Sequence, residues 1–483
     1  MSSTPATPPP PFTDPGSPSI GFMIAATALV FIMTPGVGLL YSGLSRSKNA
    51  GSIFMACMLA MAVVTVQWVL FGFSLAFSET GSAVIGNFAW GGFTNVGIPA
   101  IPVVAVAIPG VLFALYQMQF ATIAAALILG SVTERIRLIP ATVFVFLWTT
   151  IVYDPVAYWT WADRGWIRNM ACLSTTALDQ TPCGIGSFDY AGGGPVHIAS
   201  GFAGLAYCLI IGKRRGAAVG EHSGEFRSHN IPNVILGTAL LWFGWFGFNG
   251  GSALAATPRA VMAGTVTTVA AAAAALSWAF VDTIRTGKVS AVGFCSGAIA
   301  GLVAITPASG FVAPWAAIVI GLVAGVACNY ATYIKNVFGF DDTLDAWGVH
   351  AVGGFLGNVL TGIFAQKWIG LLDGTAINGG WVDGNWVQVG YQVGGSVAIA
   401  AWSFFVSFVL LYAIDKIPGL KLRQSAEDED EGADLSEMGE PAYAFGALYS
   451  VSTMDSTSTV VGGSLMEKTD SVARTIVHVG NTA

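Results

Sequence analysis

What most constrains this chain is a series of apolar stretches, each about 18 residues or longer, enough for a helix to cross the ~30 Å hydrocarbon core of a bilayer. Eleven such stretches run approximately over residues 20–44, 52–77, 101–131, 138–161, 193–212, 231–250, 260–282, 289–306, 313–335, 347–366 and 386–414. In lipid, every backbone N–H and C=O must be satisfied within the protein, so these segments fold as helices and not as open sheet. The expectation is an all-α integral membrane protein with eleven transmembrane helices. Composition agrees, with 54% hydrophobic and 10% charged residues, where a soluble domain carries about 25% charged residues. Sixty glycines, many inside the apolar runs, read as sites of close helix approach.

The basic residues test this division. Fourteen Lys and Arg follow odd-numbered stretches, from Arg46 to Arg423, against four after even-numbered ones: Arg164, Arg168, Arg259 and Lys367. Lys and Arg accumulate in cytoplasmic loops, so the N-terminus is expected outside and the C-terminus inside. The formal charge of -7 describes a tail, because eight carboxylates lie between Glu427 and Glu440. No nucleic-acid partner is expected. Met1 to Pro18 is rich in Pro, Ser and Thr and lacks the basic start of a signal peptide, so the first apolar stretch is expected to remain.

Two apolar segments repeat. Val196-His-Ile-Ala-Ser-Gly-Phe-Ala-Gly204 in the fifth stretch and Val349-His-Ala-Val-Gly-Gly-Phe-Leu-Gly357 in the tenth agree at five of nine positions. An offset of five helices reverses direction across the bilayer. Spans 1–5 and 6–10 therefore read as an inverted five-helix repeat plus one extra helix, and such repeats place the substrate site near the midplane, where the halves meet. An ionisable ring inside a membrane is a functional candidate by default. A single histidine also serves as a satisfied packing group, but symmetric placement of His197 and His350 favours function. Burial disfavours a charged imidazole, so the pair is expected to be neutral, one ring N–H donating to the other's bare nitrogen. The alternative is a protein that ligates haem iron from both sides, although nothing else in the sequence offers propionate partners or a quinone site. No Walker-type loop, metal-ligand spacing or nucleophile triad is present, so neither an enzyme nor a cofactor is expected.

Of the six cysteines, Cys57, Cys208, Cys295 and Cys328 lie in apolar stretches as small hydrophobes. Cys172 and Cys183 share the one long loop placed outside and are candidates for a disulfide.

Asp189-Tyr-Ala-Gly-Gly-Gly-Pro-Val-His197 resembles the signature of the Amt/Mep/Rh ammonium transporter family. Further matching blocks are Tyr41-Ser-Gly-Leu-Ser-Arg-Ser-Lys-Asn49, Gly130-Ser-Val-Thr-Glu-Arg-Ile-Arg137, Gly244-Trp-Phe-Gly-Phe-Asn-Gly-Gly-Ser252 and Asp345-Ala-Trp-Gly-Val-His350. The resemblance covers most of the chain. It implies eleven-span subunits, each with its own pore, assembled as homotrimers in the plasma membrane and carrying ammonium, ammonia and methylammonium. Some fungal members have an acidic residue at the first histidine position, so His197 places this chain with the twin-histidine group.

The resemblance also implies roles. Trp161 and Ser252 match the pair that recruits the cation at the outer mouth, where an indole face attracts a desolvated cation by about 2 kcal/mol. Phe120 and Phe248 match two stacked rings that close the pore below it, and Tyr41, Trp245 and Asp345 fall where the family lines or supports the pathway. Read alone, Trp161 is an interfacial anchor and the two phenylalanines are ordinary core. Asp189 precedes a glycine run and can cap its backbone N–H groups; its field can equally favour a cation in the outer site. Transport is then expected to proceed by binding of ammonium, loss of its proton and passage of ammonia past the histidines. A carbon dioxide channel, as proposed for the Rh branch, is the competing reading.

Beyond Asp415 the composition turns polar. Asp434-Leu-Ser-Glu-Met-Gly-Glu-Pro-Ala-Tyr443 resembles the family's regulatory C-terminal motif, with Gly439 at its turn and Glu440 and Tyr443 after it, and Lys213 to Arg215 is the expected electrostatic partner of these carboxylates. Ten residues between Ser450 and Ser471 are Ser or Thr, a disordered segment that a kinase could charge, which makes ammonium sensing the second functional class. The organisation expected is an extracellular segment 1–19, a transporter domain 20–414, a cytosolic regulatory region 415–445 and a disordered tail 446–483.

Overall fold

The computed structural model describes residues 17–173, 185–216 and 226–443. Among them, ten helices are long and apolar enough to cross a membrane, and one more is shorter. In chain order they are α1 (Pro18–Leu44), α2 (Ser47–Phe77), α3 (Gly110–Leu129), α4 (Leu138–Trp161), α5 (Gly193–Ile211), α6 (Ile231–Ala253), α7 (Pro258–Thr286), α8 (Ala291–Ile305), α9 (Pro314–Phe338), α10 (Trp347–Phe364) and α11 (Gln388–Lys416). The N-terminal segment 1–16, Cys183, the side chain of Cys172 and the tail from 444 onward lie outside the described residues. Cys57, Cys208, Cys295 and Cys328 are buried free thiols.

Two spans depart from the expected lengths. The third stretch becomes helical only at Gly110, because Pro99, Pro102 and Pro109 remove donors and bias the residues before them to extended backbone. The segment before α3 instead folds into turns in which the Gly110 N–H donates to the Pro99 carbonyl at 3.0 Å. α8 has only 15 residues, about 22 Å of helix. Every residue from Gly297 to Ile305 is buried, and α8 packs against α7 and α9. A short span is tolerated there because its C-terminal end, from Gly297 to Ile305, stops inside protein and not in lipid.

The connections alternate between two ends of the bundle. At one end, the loops after α1, α3, α5 and α9 are tied by Arg46–Glu134 at 2.8 Å, Arg214–Glu134 at 3.3 Å and Arg214–Asp341 at 2.9 Å. Arg135 is fully buried at this end and donates to the carbonyls of Gly212 and Asp341 and to the Thr343 hydroxyl. Burial would raise the Asp341 carboxyl, yet the Arg135 and Arg214 guanidinium groups beside it hold it well below the usual carboxylate range. At the other end, Arg259 at the start of α7 donates to the Gly310 carbonyl at 2.7 Å and pairs with Asp373 at 3.3 Å, while the Tyr190 N–H donates to the Pro307 carbonyl. α5 starts at the Arg259 end and α10 at the Arg135 end. They run in opposite directions, as the inverted repeat requires.

Candidate functional site

Each histidine sits in a widened π-helical turn at the start of its span, Gly193–Ile198 in α5 and Trp347–Ala351 in α10. Both turns begin among buried residues, so their first backbone N–H groups need partners inside the protein. Asp189 supplies them in α5: its carboxylate accepts from the N–H groups of Gly192, Gly193 and Gly194 at 2.7–2.8 Å. In α10 the same task falls to Asp342, which accepts from Ala346 and Trp347 at 3.2 and 2.8 Å. Asp345, expected beside the pathway, instead pairs with Lys335 at 2.5 Å, with a left-handed backbone at φ 59°. Asp342 is the acid that sequence reasoning missed, although its spacing to His350 equals that of Asp189 to His197.

The two spans cross closely enough for the rings to touch. A Cβ on Gly201 would lie 2.5 Å from the Ala351 nitrogen, and one on Gly354 would lie 2.8 Å from the Gly193 carbonyl. Only glycine permits that approach. The result is a direct contact between His197 and His350: Nδ1 to Nδ1 is 3.3 Å, with the rings 18° from parallel. His197 is fully buried and His350 5% exposed. One ring therefore donates through Nδ1 and the other accepts. A haem between the imidazoles is excluded, because rings in hydrogen-bond contact leave no space for a macrocycle. His197 Nε2 has no hydrogen-bond partner among the described residues.

Above the histidines, the aromatic rings form a continuous file. His197 stacks on Trp245 at 5.6 Å and lies 6.1 Å from Phe248, whose ring stacks on Phe120 at 4.1 Å and 27°. Phe120 meets Trp161 edge-on at 6.1 Å. Trp245 is oriented by its indole N–H, which donates to the Thr306 hydroxyl at 2.9 Å. Trp161 is held in turn by donation to the Asp189 carbonyl at 3.0 Å.

Over this file opens a cavity of about 210 Å³ whose walls include Trp161, Ser252, Asp189, Phe120 and Gln117. The Ser252 hydroxyl donates to the Phe248 carbonyl at 2.8 Å, which leaves its lone pairs to accept from a ligand. Tyr116, one helical turn before Phe120 and not singled out by the sequence, lies 2.8 Å from the Gly247 and Phe248 carbonyls and fixes the helical turn that carries the second phenylalanine. Tyr41 is elsewhere: its hydroxyl donates to the Leu127 carbonyl at 3.2 Å, about 10 Å along α3 from Phe120.

The segment after α11 is seated on the Arg135 end. The buried Asp434 accepts from the N–H groups of Gly51 and Ser52 at the start of α2, at 3.0 and 2.7 Å. Glu437 accepts from the Leu138 N–H at the start of α4 at 2.8 Å. Glu429 accepts from the Arg215 N–H at 2.7 Å and from Arg423 at 2.8 Å, while Arg215 also pairs with Asp430 at 3.1 Å. Of the basic loop, Arg215 meets the tail, whereas Arg214 turns inward to Glu134 and Asp341. Gly439 closes the turn at φ 71°, the Glu440 N–H donates to the Asp434 carbonyl, and Tyr443 is the last residue described.

Residues 21–443 match the profile of the Ammonium Transporter Family. Ammonium transporter 1 of Schizosaccharomyces pombe is 47% identical over 429 residues, covering 88% of this chain and 82% of that protein. Ammonium transporter MEP2 of Saccharomyces cerevisiae is 45% identical over 438 residues, covering 89% and 84%. The crystal structure of Candida albicans Mep2 superposes with a TM-score of 0.78 at 42% identity, covering 85% of this chain and 86% of that one. The chain thus belongs to the ammonium transporter family, and is a multi-pass membrane transporter of ammonium and not an enzyme.

Proposed function

We propose that ammonium binds in the cavity bounded by Trp161, Ser252 and Asp189, loses its proton at the Phe120–Phe248 pair, and crosses as ammonia past His197 and His350. The observation that carries this reading is the direct contact of two buried, facing imidazoles beneath a closed aromatic stack. An intact cation in so dry a lumen carries an idealised cost on the order of 20 kcal/mol. Deprotonation costs only about 1.4 kcal/mol for each pH unit separating solution from the ammonium pKa. The histidine pair then offers a neutral donor and acceptor to ammonia and a route for its proton.

Methylammonium uptake and ammonium-evoked current in proteoliposomes, with His197 and His350 each replaced by alanine, test this reading. Loss of the current in both variants is the expected result. A wild-type protein that moves substrate with no current is instead a gas channel whose proton returns outside. Wild-type uptake by both variants would remove the histidines from the mechanism.

The same reading places the protein in the plasma membrane as a homotrimer, with the N-terminus outside and the tail end of the bundle in the cytosol. Support comes from the basic residues that gather at that end and from the fungal relatives. Asp434 and Glu437 dock on the starts of α2 and α4, and Glu429 and Asp430 on Arg215, which suits a regulatory region whose release alters transport. The Ser/Thr-rich segment beyond it is the place for a kinase, and such a switch would let the transporter act as an ammonium sensor.

A further inference from the structure

The outer cavity of this cation transporter is lined by two arginines. Arg168 and Arg259 both face it, together with Asp189 and Asp373. A guanidinium cannot be discharged in a protein and repels any cation that enters. Arg259 is also held rigidly: it is 5% exposed, its Nε donates to the Gly310 carbonyl at 2.7 Å, and its guanidinium lies 4.9 Å from the Tyr190 ring centre and 4.8 Å from that of Phe311. It cannot swing out of the way. The only carboxylate in ion-pair contact with it among the described residues is Asp373, whose two oxygens lie 3.4 and 3.3 Å from Nη1. Asp373 comes from the turn after α10, while Arg259 opens α7. The pair therefore joins separate parts of the chain across the mouth.

We propose that Asp373 sets the affinity of the outer cavity for the transported cation: by neutralising Arg259 it keeps that cavity free of net positive charge. With Asp189 and Asp373 both ionised, the charges of the four residues lining the cavity cancel. Without it, one fixed positive charge remains beside the place where ammonium binds. The role is electrostatic, and Asp373 need not touch the substrate. This inference rests on the reading of the cavity as the outer ammonium site.

The test is methylammonium uptake by full-length protein in proteoliposomes, with KM and maximal rate measured separately at low and high salt. D373N keeps the oxygen that accepts from the Thr375 N–H and removes only the charge. Its KM is expected to rise about tenfold at low salt, the scale of one uncompensated charge in partly buried surroundings, with the maximal rate unchanged. Salt should shrink the effect. The double variant R259Q/D373N, which removes both charges, should return KM to near its original value, and a structural defect would not be repaired that way. If D373N fails to assemble, R259Q alone decides, since loss of the positive charge should lower KM.

An unchanged KM in D373N, or in R259Q where that variant decides, overturns the proposal, as does a fall in maximal rate that the double variant fails to restore. W161L separates the two levels of argument. If its KM is unchanged, the cavity is not the outer site. If W161L raises KM and D373N does not, the Arg259–Asp373 inference alone is wrong.

Discussion

Asp189 and Asp342 hold equivalent places in the two halves of the bundle, each eight residues before its histidine and each accepting backbone N–H groups of the turn that carries it. The equivalence explains how one sequence can present two imidazoles to each other from opposite directions. A helix that starts inside a membrane protein has unpaired N–H groups at a place where water cannot reach them. A carboxylate on the preceding loop satisfies several at once and aligns with the positive end of the helix.

Replacement of Asp342 by alanine should therefore lower stability by about 1–2 kcal/mol through loss of the cap, with D342N intermediate because it retains one acceptor. Thermal unfolding in detergent micelles reads this directly. Wild-type unfolding in D342A would mean that α10 is held by packing alone.

Asp189 carries a second expectation, in pH. Burial pushes its carboxyl up to about 6, despite the three N–H bonds that favour the ionised form. Below that value the group is increasingly neutral and its field on the outer cavity is lost; above it the field is present. Methylammonium stays protonated throughout this range, so any change belongs to the protein. The apparent affinity for methylammonium should fall as pH drops from about 7 to about 5, and D189N should show the weaker affinity at every pH. A pH-independent affinity in the unmodified protein would confine Asp189 to its cap.

Much of this was legible in the sequence, for identifiable reasons. Lipid forces apolar runs into helices, so the spans could be counted, and a repeat offset by five spans fixed the antiparallel relation of α5 and α10. The spacing of Asp189 to the glycine run announced a cap. Asp342 was obscured by Asp345, which lies nearer to His350 in sequence but points to Lys335. The Arg259–Asp373 pair could not be read at all, because its members are 114 residues apart and no periodicity links a helix start to a distant turn. The extent of α3 was misjudged where Pro102 and Pro109 interrupt a run whose hydropathy alone looks continuous.

Phe120 and Phe248 stack with centres 4.1 Å apart, and both are at most 1% exposed. Truncating either to alanine opens a cavity and should cost about 3–5 kcal/mol of stability. F120A should lose the greater share of transport selectivity, because the Phe120 ring contacts Trp161 at the outer cavity, whereas Phe248 contacts Trp245 and His197 deeper in the file. Uptake of methylammonium in competition with larger alkylammonium ions measures this. Equal discrimination by F120A and the unmodified protein would reduce the pair to packing.

The tail offers the last expectation. Asp434 and Glu437 hold it by accepting from backbone N–H groups at the starts of α2 and α4, contacts each worth about 1 kcal/mol as helix caps. With D434A and E437A combined, the undocked population should rise by roughly 5- to 30-fold, the factor that 1–2 kcal/mol gives. Limited proteolysis of the segment after Lys416 should accelerate by a similar factor, since cleavage follows the open population when reclosing is fast. If docking sets the transport rate, methylammonium uptake in proteoliposomes shifts in the same variant without a change in KM, because the tail meets the end of the bundle remote from the Trp161 cavity. Faster proteolysis with unchanged uptake would leave the segment as a docked but passive extension, and unchanged proteolysis would show that the remaining contacts, those of Lys48, Asn49 and Arg215 among them, suffice to hold it.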